Sequence, residues 1–311
     1  MANPRTLLKR RGSITNTRKI TKTMEMVSTA RLARAHQAAV AARPYARALE
    51  QLIADLAGDS EGFSHPLLRE RSPVRRASVV VMTSDRGLCA AFNSNLIRQA
   101  RKLHEELASR GAAVEYLVHG RKASAAARRL GWPVARAYLG VSDKPAYARA
   151  EEIGNALIAR YTAGELDAAL LVYSSFASRT AQVPCVAKLL PMAAPGGRSG
   201  PGGPGARARE PQPTGAASGG SGGRRAWYLF HPGSAEILAA VLPLALKNAI
   251  FAAMLETCAG EHAARRLAMK NATDAADEMI GTLTRQYNRA RQSKITQEIA
   301  EIVSGSEAQG G

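Results

Sequence analysis

The run Ser84-Asp85-Arg86-Gly87-Leu88-Cys89 brings a thiol, a carboxylate, a guanidinium and a hydroxyl within six residues. It follows the strand-like apolar run Val79–Met82 and precedes the helical spacing Leu96, Ala100, Leu103, Leu107. Backbone N–H groups and a helix dipole at such a strand-to-helix turn can hold an anion. A catalytic reading makes Cys89 a nucleophile and Arg86 a clamp for an oxyanion or a phosphate. Against it, no histidine lies nearby in sequence to activate the thiol, and the glycine pattern is neither GxxxxGK[ST] nor GxGxxG. A small buried cysteine in a βα turn is the commoner case. His119 closes a strand and His104 sits on a helix, each isolated, and no His/Asp/Glu spacing suggests a metal. Cys89, Cys185 and Cys258 are odd in number and far apart, which opposes a disulfide framework and a zinc site. The acids in Thr273-Asp274-Ala275-Ala276-Asp277-Glu278 read as a helix surface patch, and Met24 and Met26 as helix packing residues. No catalytic residue, cofactor or metal is expected.

The elements that hold the turn alternate. Val79–Met82, Val114–His119, Val134–Leu139 and Ala168–Tyr173 read as strands, separated by helical patterns over Leu96–Ser109, Arg121–Leu130 and Tyr147–Tyr161. This is the βαβ rhythm of a mostly parallel sheet covered by helices. Ser178–Leu190 adds a last strand, expected to be antiparallel.

Long helices flank this unit. Ile280, Leu283, Tyr287 and Ala290 recur at spacings of three and four, and Ile295, Ile299 and Ile302 continue the stripe after a small shift. Between Gly260 and Val303 there is no proline and only Gly281 interrupts, so one helix of about 40 residues, roughly 60 Å long, is predicted. Its apolar stripe is narrow and requires a partner along its length. The candidate partner is Thr6–Leu56, where Leu8, Ile14, Ile20, Met24 and Val27 lead into an alanine-rich run, Ala30–Ala48. Pro44 predicts a kink, or a stop followed by a short second helix. Two such helices predict an antiparallel pair.

The net charge of +18 implies attraction to an acidic partner. Residues 1–50 carry eleven Lys or Arg against two acids, which is half of the excess, and few of these bases have an acid one turn away. A solvated helix face is the plain explanation, but a partner that supplies the acids fits better. Residues 193–223 contain eleven glycines and five prolines, a composition that predicts a flexible, exposed insertion. Order is expected to resume at Ala226–Phe230, with Ser234 as an N-cap. No apolar run of about 18 residues is evident, so no transmembrane helix is expected. The basic N-terminus lacks the apolar core of a signal peptide, which points to the cytoplasm.

Three runs in order resemble the gamma subunit of F-type ATP synthases. They are Asn16-Thr17-Arg18-Lys19-Ile20-Thr21-Lys22-Thr23-Met24-Glu25-Met26-Val27, then Ser84–Cys89 with Phe92-Asn93, then Glu261–Arg265 through Ala268–Asp274 and Tyr287–Gln292 to Ile295–Ile299. The resemblance covers nearly the whole chain apart from the insertion. It implies an α/β fold in which the N- and C-terminal helices form a long antiparallel coiled coil beside a central Rossmann-like α/β domain. It also implies a non-catalytic rotor shaft inside alternating alpha and beta subunits, with the α/β domain as a foot near the epsilon subunit and the membrane c-ring. The expected place is peripheral, on the cytoplasmic face of the membrane. Partner-binding positions carried over are Lys19, Lys22 and Met24 beside the beta lever loops, and Arg291, Gln292 and Thr296 at the catch with beta. Ser84, Asp85, Arg86 and Gly87 carry the foot-domain motif.

The chain then divides into 1–57 (N-terminal shaft helix), 75–192 (central α/β domain), 193–223 (insertion), 224–233 (last strand and turn), 234–303 (C-terminal helical region with shaft helix) and 304–311 (flexible tail). Departures from the family pattern are Ala90-Ala91, where a glycine often follows the cysteine, and a polar, Gly-rich tail where the family tends to end in apolar residues. The insertion has no cysteine, so the dithiol switch of some photosynthetic relatives is not expected. A basic nucleic-acid-binding α/β protein is the alternative, but Tyr45 is the sole aromatic among residues 1–50, too few for base stacking. An α/β phosphate-handling enzyme would account for the central domain and leave the two long helices unexplained.

Overall fold

The computed structural model describes residues 4–58, 65–140, 142–176, 182–192 and 233–309. The expectations for 193–223 and for Ala226–Phe230 lie outside the described residues. The chain divides into two compact units, one made of Arg31–Ala264 and the other of Met1–Ala30 with Arg265–Gly311. Helices α1 (Pro4–Gly58) and α5 (Ser234–Gln309) contribute to both.

In the Arg31–Ala264 unit, five strands are ordered β3-β2-β1-β4-β5. They are β1 (Arg76–Met82), β2 (Ala113–His119), β3 (Val134–Tyr138), β4 (Ala168–Phe176) and β5 (Gln182–Leu190). The first four run parallel, with Val80 opposite both Leu117 and Leu171, and β5 is antiparallel to β4, as expected. Alternation along β1 sends its side chains to two cores. Val79 and Val81 join Tyr116 and Val118 beneath α2 (Phe92–Ser109) and α3 (Arg121–Leu130), through Leu96, Ala100, Leu103 and Ala127. Val80 and Met82 join Leu117 and Leu171 beneath α4 (Tyr147–Thr162) and the first part of α5, through Ile153, Leu157, Leu238, Leu242 and Ile250. Burial on both faces explains the unbroken apolar run from Val79 to Met82 within β1.

In the other unit, α1 and α5 pair antiparallel. Thr21 and Thr273 share a hydroxyl hydrogen bond of 2.8 Å, Arg18 pairs with Asp277, and the Arg11 guanidinium lies over the Tyr287 ring at 5.6 Å. As the number falls on one helix it rises on the other. Leu7, Ser28, Met269, Thr273, Ala276 and Leu283 are buried along this seam.

Several expectations need correction. Helix α1 continues through Pro44, which removes the stop and leaves the kink as the other alternative, and α5 is 76 residues long, running through Pro243 to Gln309 and past the boundary expected at Val303. Proline removes one backbone hydrogen bond, but Leu238, Leu242 and Leu246 on either side of Pro243 are buried and hold the helix to the core. Contrary to the reading of the bare sequence, α5 contains an 18-residue window apolar enough to cross a membrane by length and composition. Its leucines at 238, 242 and 246 cover the sheet instead. The C-terminal stripe is buried only as far as Leu283, with Tyr287 and Ala290 partly covered, and Ile295, Ile299 and Ile302 are exposed. Finally, Met26 points to solvent rather than into packing; the acids Asp274, Asp277 and Glu278 lie on the helix surface as expected, while Thr273 and Ala276 beside them turn into the seam.

Candidate functional site

The Ser84–Cys89 turn leaves β1 at the carboxyl end of the sheet. Asn93, in the first turn of α2, accepts the Ser84 N–H at 3.0 Å and donates to Ser84 Oγ at 2.8 Å and to Cys89 Sγ at 3.0 Å. Leu88 and Ala90, on either side of Cys89, take left-handed backbone angles of 62° and 49°, which side chains with a Cβ adopt at a cost of about 1 kcal/mol each. Cys89 is 2% exposed. The thiol is part of the fold's interior, not a nucleophile facing a substrate.

Asp85 ties three loops together. Its Oδ1 accepts the N–H groups of Arg121 (3.0 Å) and Gly140 (2.9 Å), its Oδ2 accepts that of Ser142 (2.9 Å), and its own N–H donates to Ser142 Oγ (2.9 Å). Burial alone would raise its pKa, but these donors outweigh it and hold the carboxyl below its ordinary value. Arg86 lies 3.6 Å from Asp143, which also pairs with Arg31 of α1 at 2.7 Å and stands 4.0 Å from His262 of α5. Arg86 is thus a tether between loops and helices rather than a phosphate clamp. Gly87 borders Lys122, whose ammonium would lie 3.8 Å from an added Cβ.

Behind the turn, the Thr83 hydroxyl accepts from Ala123 N at 2.8 Å, and the Thr83 N–H donates to the His119 carbonyl at 2.9 Å. A Cβ at Gly120 would stand 2.3 Å from the Thr83 carbonyl oxygen, and Gly120 has φ +96°, so no other residue fits. The His119 ring is 3% exposed and neither nitrogen has a hydrogen-bond partner among the described residues. Burial holds its pKa down at about 4, so it is neutral near pH 7.

In open α/β sheets ligands enter where the strand order reverses, here between the carboxyl ends of β1 and β4. Helix α5 fills that crevice. Thr257 Oγ1 accepts the Ser174 N–H at 3.3 Å, Glu256 accepts that of Phe176 at 3.4 Å, and a Cβ at Gly260 would stand 3.1 Å from Ser174 Oγ and 3.2 Å from Phe92. Burial raises the Glu256 pKa, against the opposing pull of the Phe176 N–H, Ser175 and Arg43. The place where this topology would take a nucleotide is occupied by protein. Among the described residues no group of three His, Cys, Asp or Glu could hold a metal.

The positions expected to bind partners lie on the helix pair. Lys19 is exposed, Lys22 is exposed and bonded to Glu25 at 3.1 Å, and Met24 is half-buried. Arg291, Gln292 and Thr296 are exposed, with Thr296 Oγ1 donating to the Gln292 carbonyl at 3.0 Å. The register set by Thr21–Thr273 and Arg11–Tyr287 separates the centres of the two groups by about 30 Å along the pair at about 1.5 Å per residue, so they are two surfaces and not one site. Sequence reasoning missed Asp143 and Glu256. Asp143 sits in the turn at 142–144, where turn residues carry no sign of a charge hub, and Glu256 lies in an apolar helix with nothing to mark its burial.

The family model described as ATP synthase matches residues 3–309. The ATP synthase gamma chain of Pelotomaculum thermopropionicum is 41% identical over 308 residues, covering 99% of both chains. That of Gemmatimonas aurantiaca is 39% identical over 308 residues, again 99% of both. Among solved structures, the rotor of the Euglena gracilis mitochondrial ATP synthase in rotational state 1 superposes with TM-score 0.58 at 17% identity, over 94% of this chain and 98% of that one. The central stalk and c-ring structure of the Tetrahymena thermophila mitochondrial ATP synthase gives 0.57 at 18% identity, over 81% and 99%. At those identities the structures speak for the fold alone.

Proposed function

Because this chain belongs to the ATP synthase gamma-chain family, we infer that it is the rotary central stalk subunit of an F-type ATP synthase, a non-catalytic, peripheral membrane-associated part of that complex. The observation that carries this reading is the antiparallel helix pair. Its seam is fixed by Thr21–Thr273, Arg18–Asp277 and Arg11–Tyr287, while its outer faces keep Lys19, Arg291 and the isoleucines at 295, 299 and 302 exposed. A filled switch-point crevice supports a non-catalytic role.

The finer reading is that the pair turns inside alternating alpha and beta subunits. Lys19, Lys22 and Met24 meet the beta lever loops, and Arg291, Gln292 and Thr296 form the catch. The α/β unit, through Ser84, Asp85, Arg86 and Gly87, keeps the loops of the foot rigid near the epsilon subunit and the c-ring, on the cytoplasmic face of the membrane. Rotation then presents a different face to each beta subunit in turn and shifts its conformational populations, and so its nucleotide affinity. Exposed bases on the shaft interact with acids of the partner, and their pull weakens with salt.

The test is co-expression with the complex's other subunits. Alanine at Arg291 and Gln292, or at Lys19 and Lys22, is expected to leave assembly intact and to lower ATP-driven ion pumping. Unchanged pumping in both variants would remove these residues from the torque path. Failure of the unaltered chain to assemble with alpha and beta subunits would overturn the stalk reading. Any binding of the free chain to DNA should be independent of sequence and vanish at moderate salt; sequence-selective, salt-resistant binding would revive the nucleic-acid alternative.

A further inference from the structure

At the end of the sheet opposite the Ser84–Cys89 turn, the segment entering β1 and the α4–β4 turn enclose a cleft of about 540 Å³. Arg69, Arg71, Arg75 and Arg76 line it, together with Glu70 and Asp167. Two of the four guanidinium groups are committed to the fold. Arg71 donates to the carbonyls of Leu166 (2.9 Å) and Tyr161 (2.7 Å) and lies over the Tyr161 ring at 4.6 Å, and Arg76 donates to the Gly164 carbonyl at 2.7 Å. The guanidinium groups of Arg69 and Arg75 are exposed and meet no acceptor among the described residues.

Their backbone is nonetheless fixed. The hydroxyl of Tyr161, a fully buried residue, donates to the Arg69 carbonyl at 2.7 Å, and Asp167 Oδ2 accepts the N–H groups of Arg75 and Arg76 at 2.9 Å each. Both acids in the lining are engaged, Asp167 by those N–H groups and Glu70 by Lys188 at 3.0 Å. The cleft therefore presents two unneutralised guanidinium groups from a rigid frame, with four positive and two negative charges in its wall. No aromatic side chain lines it, so nothing there would stack on a base. The charge balance fits a compact dianion, and guanidinium pairs with phosphate oxygens in a bidentate manner.

We propose that this cleft binds a phosphate-bearing dianion through Arg69 and Arg75, either a soluble phosphate or diphosphate or the phosphate headgroup of a lipid. The site is independent of the stalk reading. It would allow the α/β unit to sense phosphate or to hold a lipid.

The experiment is calorimetric titration of the full chain with pyrophosphate at low ionic strength. It compares the unaltered protein with Arg69→Gln plus Arg75→Gln, and with Arg128→Gln plus Arg129→Gln, which removes the same charge from the last turn of α3. Loss of the first pair is expected to weaken binding about tenfold or more, as for removal of charge-assisted hydrogen bonds, and loss of the second pair by less than about twofold. Neither pair should lower the melting temperature, because the contacts that frame the cleft remain. Equal weakening by both pairs, or no binding to the unaltered chain at millimolar pyrophosphate, would overturn the site. Sedimentation with vesicles containing phosphatidic acid, whose phosphomonoester headgroup can become a dianion, against phosphatidylcholine, separates the sources. Vesicle binding that depends on Arg69 and Arg75 and is competed by pyrophosphate identifies a lipid headgroup; pyrophosphate binding without vesicle binding identifies a soluble anion.

Discussion

The two units of this chain are held by different kinds of contact. In Arg31–Ala264, side chains from every layer fill two continuous apolar cores, and Val80, Leu157, Leu171 and Ile250 are fully buried. In the helix pair the seam is narrow, with a threonine pair, an ion pair, one cation–π contact and small residues such as Ala276, while Ile20, Met26, Ile295 and Ile299 stay exposed. Burial of apolar area is the larger source of stability, whereas polar pairs set register more than they add energy. The first unit is held by its own cores; the second is aligned internally and leaves much of its outer surface exposed.

Core truncation should separate the units most clearly. Leu171→Ala is expected to cost about 2–5 kcal/mol, and Leu283→Ala, with fewer neighbours to lose, clearly less. Denaturant unfolding of both variants checks this, and a larger loss from Leu283→Ala would reverse the comparison.

Acidification should act on the α/β unit through His119, whose folded pKa of about 4 lies below its ordinary 6.5. Between those values the unfolded chain binds the proton and the folded one does not, so stability falls as pH drops from 6.5 towards 4, by up to about 3 kcal/mol. His119→Leu should flatten that stretch of the pH–stability curve. An unchanged slope would mean that the ring is protonated in the folded state.

Backbone strain in the turn predicts a smaller gain. Ala90→Gly relieves a left-handed alanine and should stabilise by about 0.5–1 kcal/mol, read as a raised melting temperature; a fall would show that the turn does not need that angle. Smallest of all, Arg18→Gln removes an ion pair whose side chains are 45% and 49% exposed and should change stability by less than about 0.5 kcal/mol. A loss of several kcal/mol would mean that the helix pair depends on that contact.

Much of the fold was legible because its signals are local. Val79–Met82 reads as a buried strand from four consecutive apolar residues, and Leu96, Ala100, Leu103 and Leu107 as one helix face. The antiparallel helix pair followed from the matching of a basic, alanine-rich end with a striped one. Features set by distant contacts were not legible. Pro44 and Pro243 are local breakers by type, yet both lie inside continuous helices, and around Pro243 it is the burial of Leu238, Leu242 and Leu246 that holds α5 to the core. The apolar stretch near Leu242 looks the same whether its partner is lipid or a sheet. The stripe at Ile295–Ile302 repeats like the buried part before it, and nothing in its spacing tells that the seam has already ended. In the turn, the motif residues stood out by type, but the role of Asp85 depends on N–H groups of Arg121, Gly140 and Ser142, far away in sequence. Asp143 gave no signal because its partners Arg31, Arg86 and His262 come from three separate elements.

The most direct test of the central claim is single-molecule observation of the assembled complex, with alpha and beta subunits fixed to a surface and a bead attached to an exposed position in α3, such as Arg129. On addition of ATP, the account predicts unidirectional, stepwise rotation of the bead, slowed when Arg291 and Gln292 are replaced by alanine. ATP hydrolysis at full rate with a stationary bead would contradict it, because the chain would then be a static part of the complex.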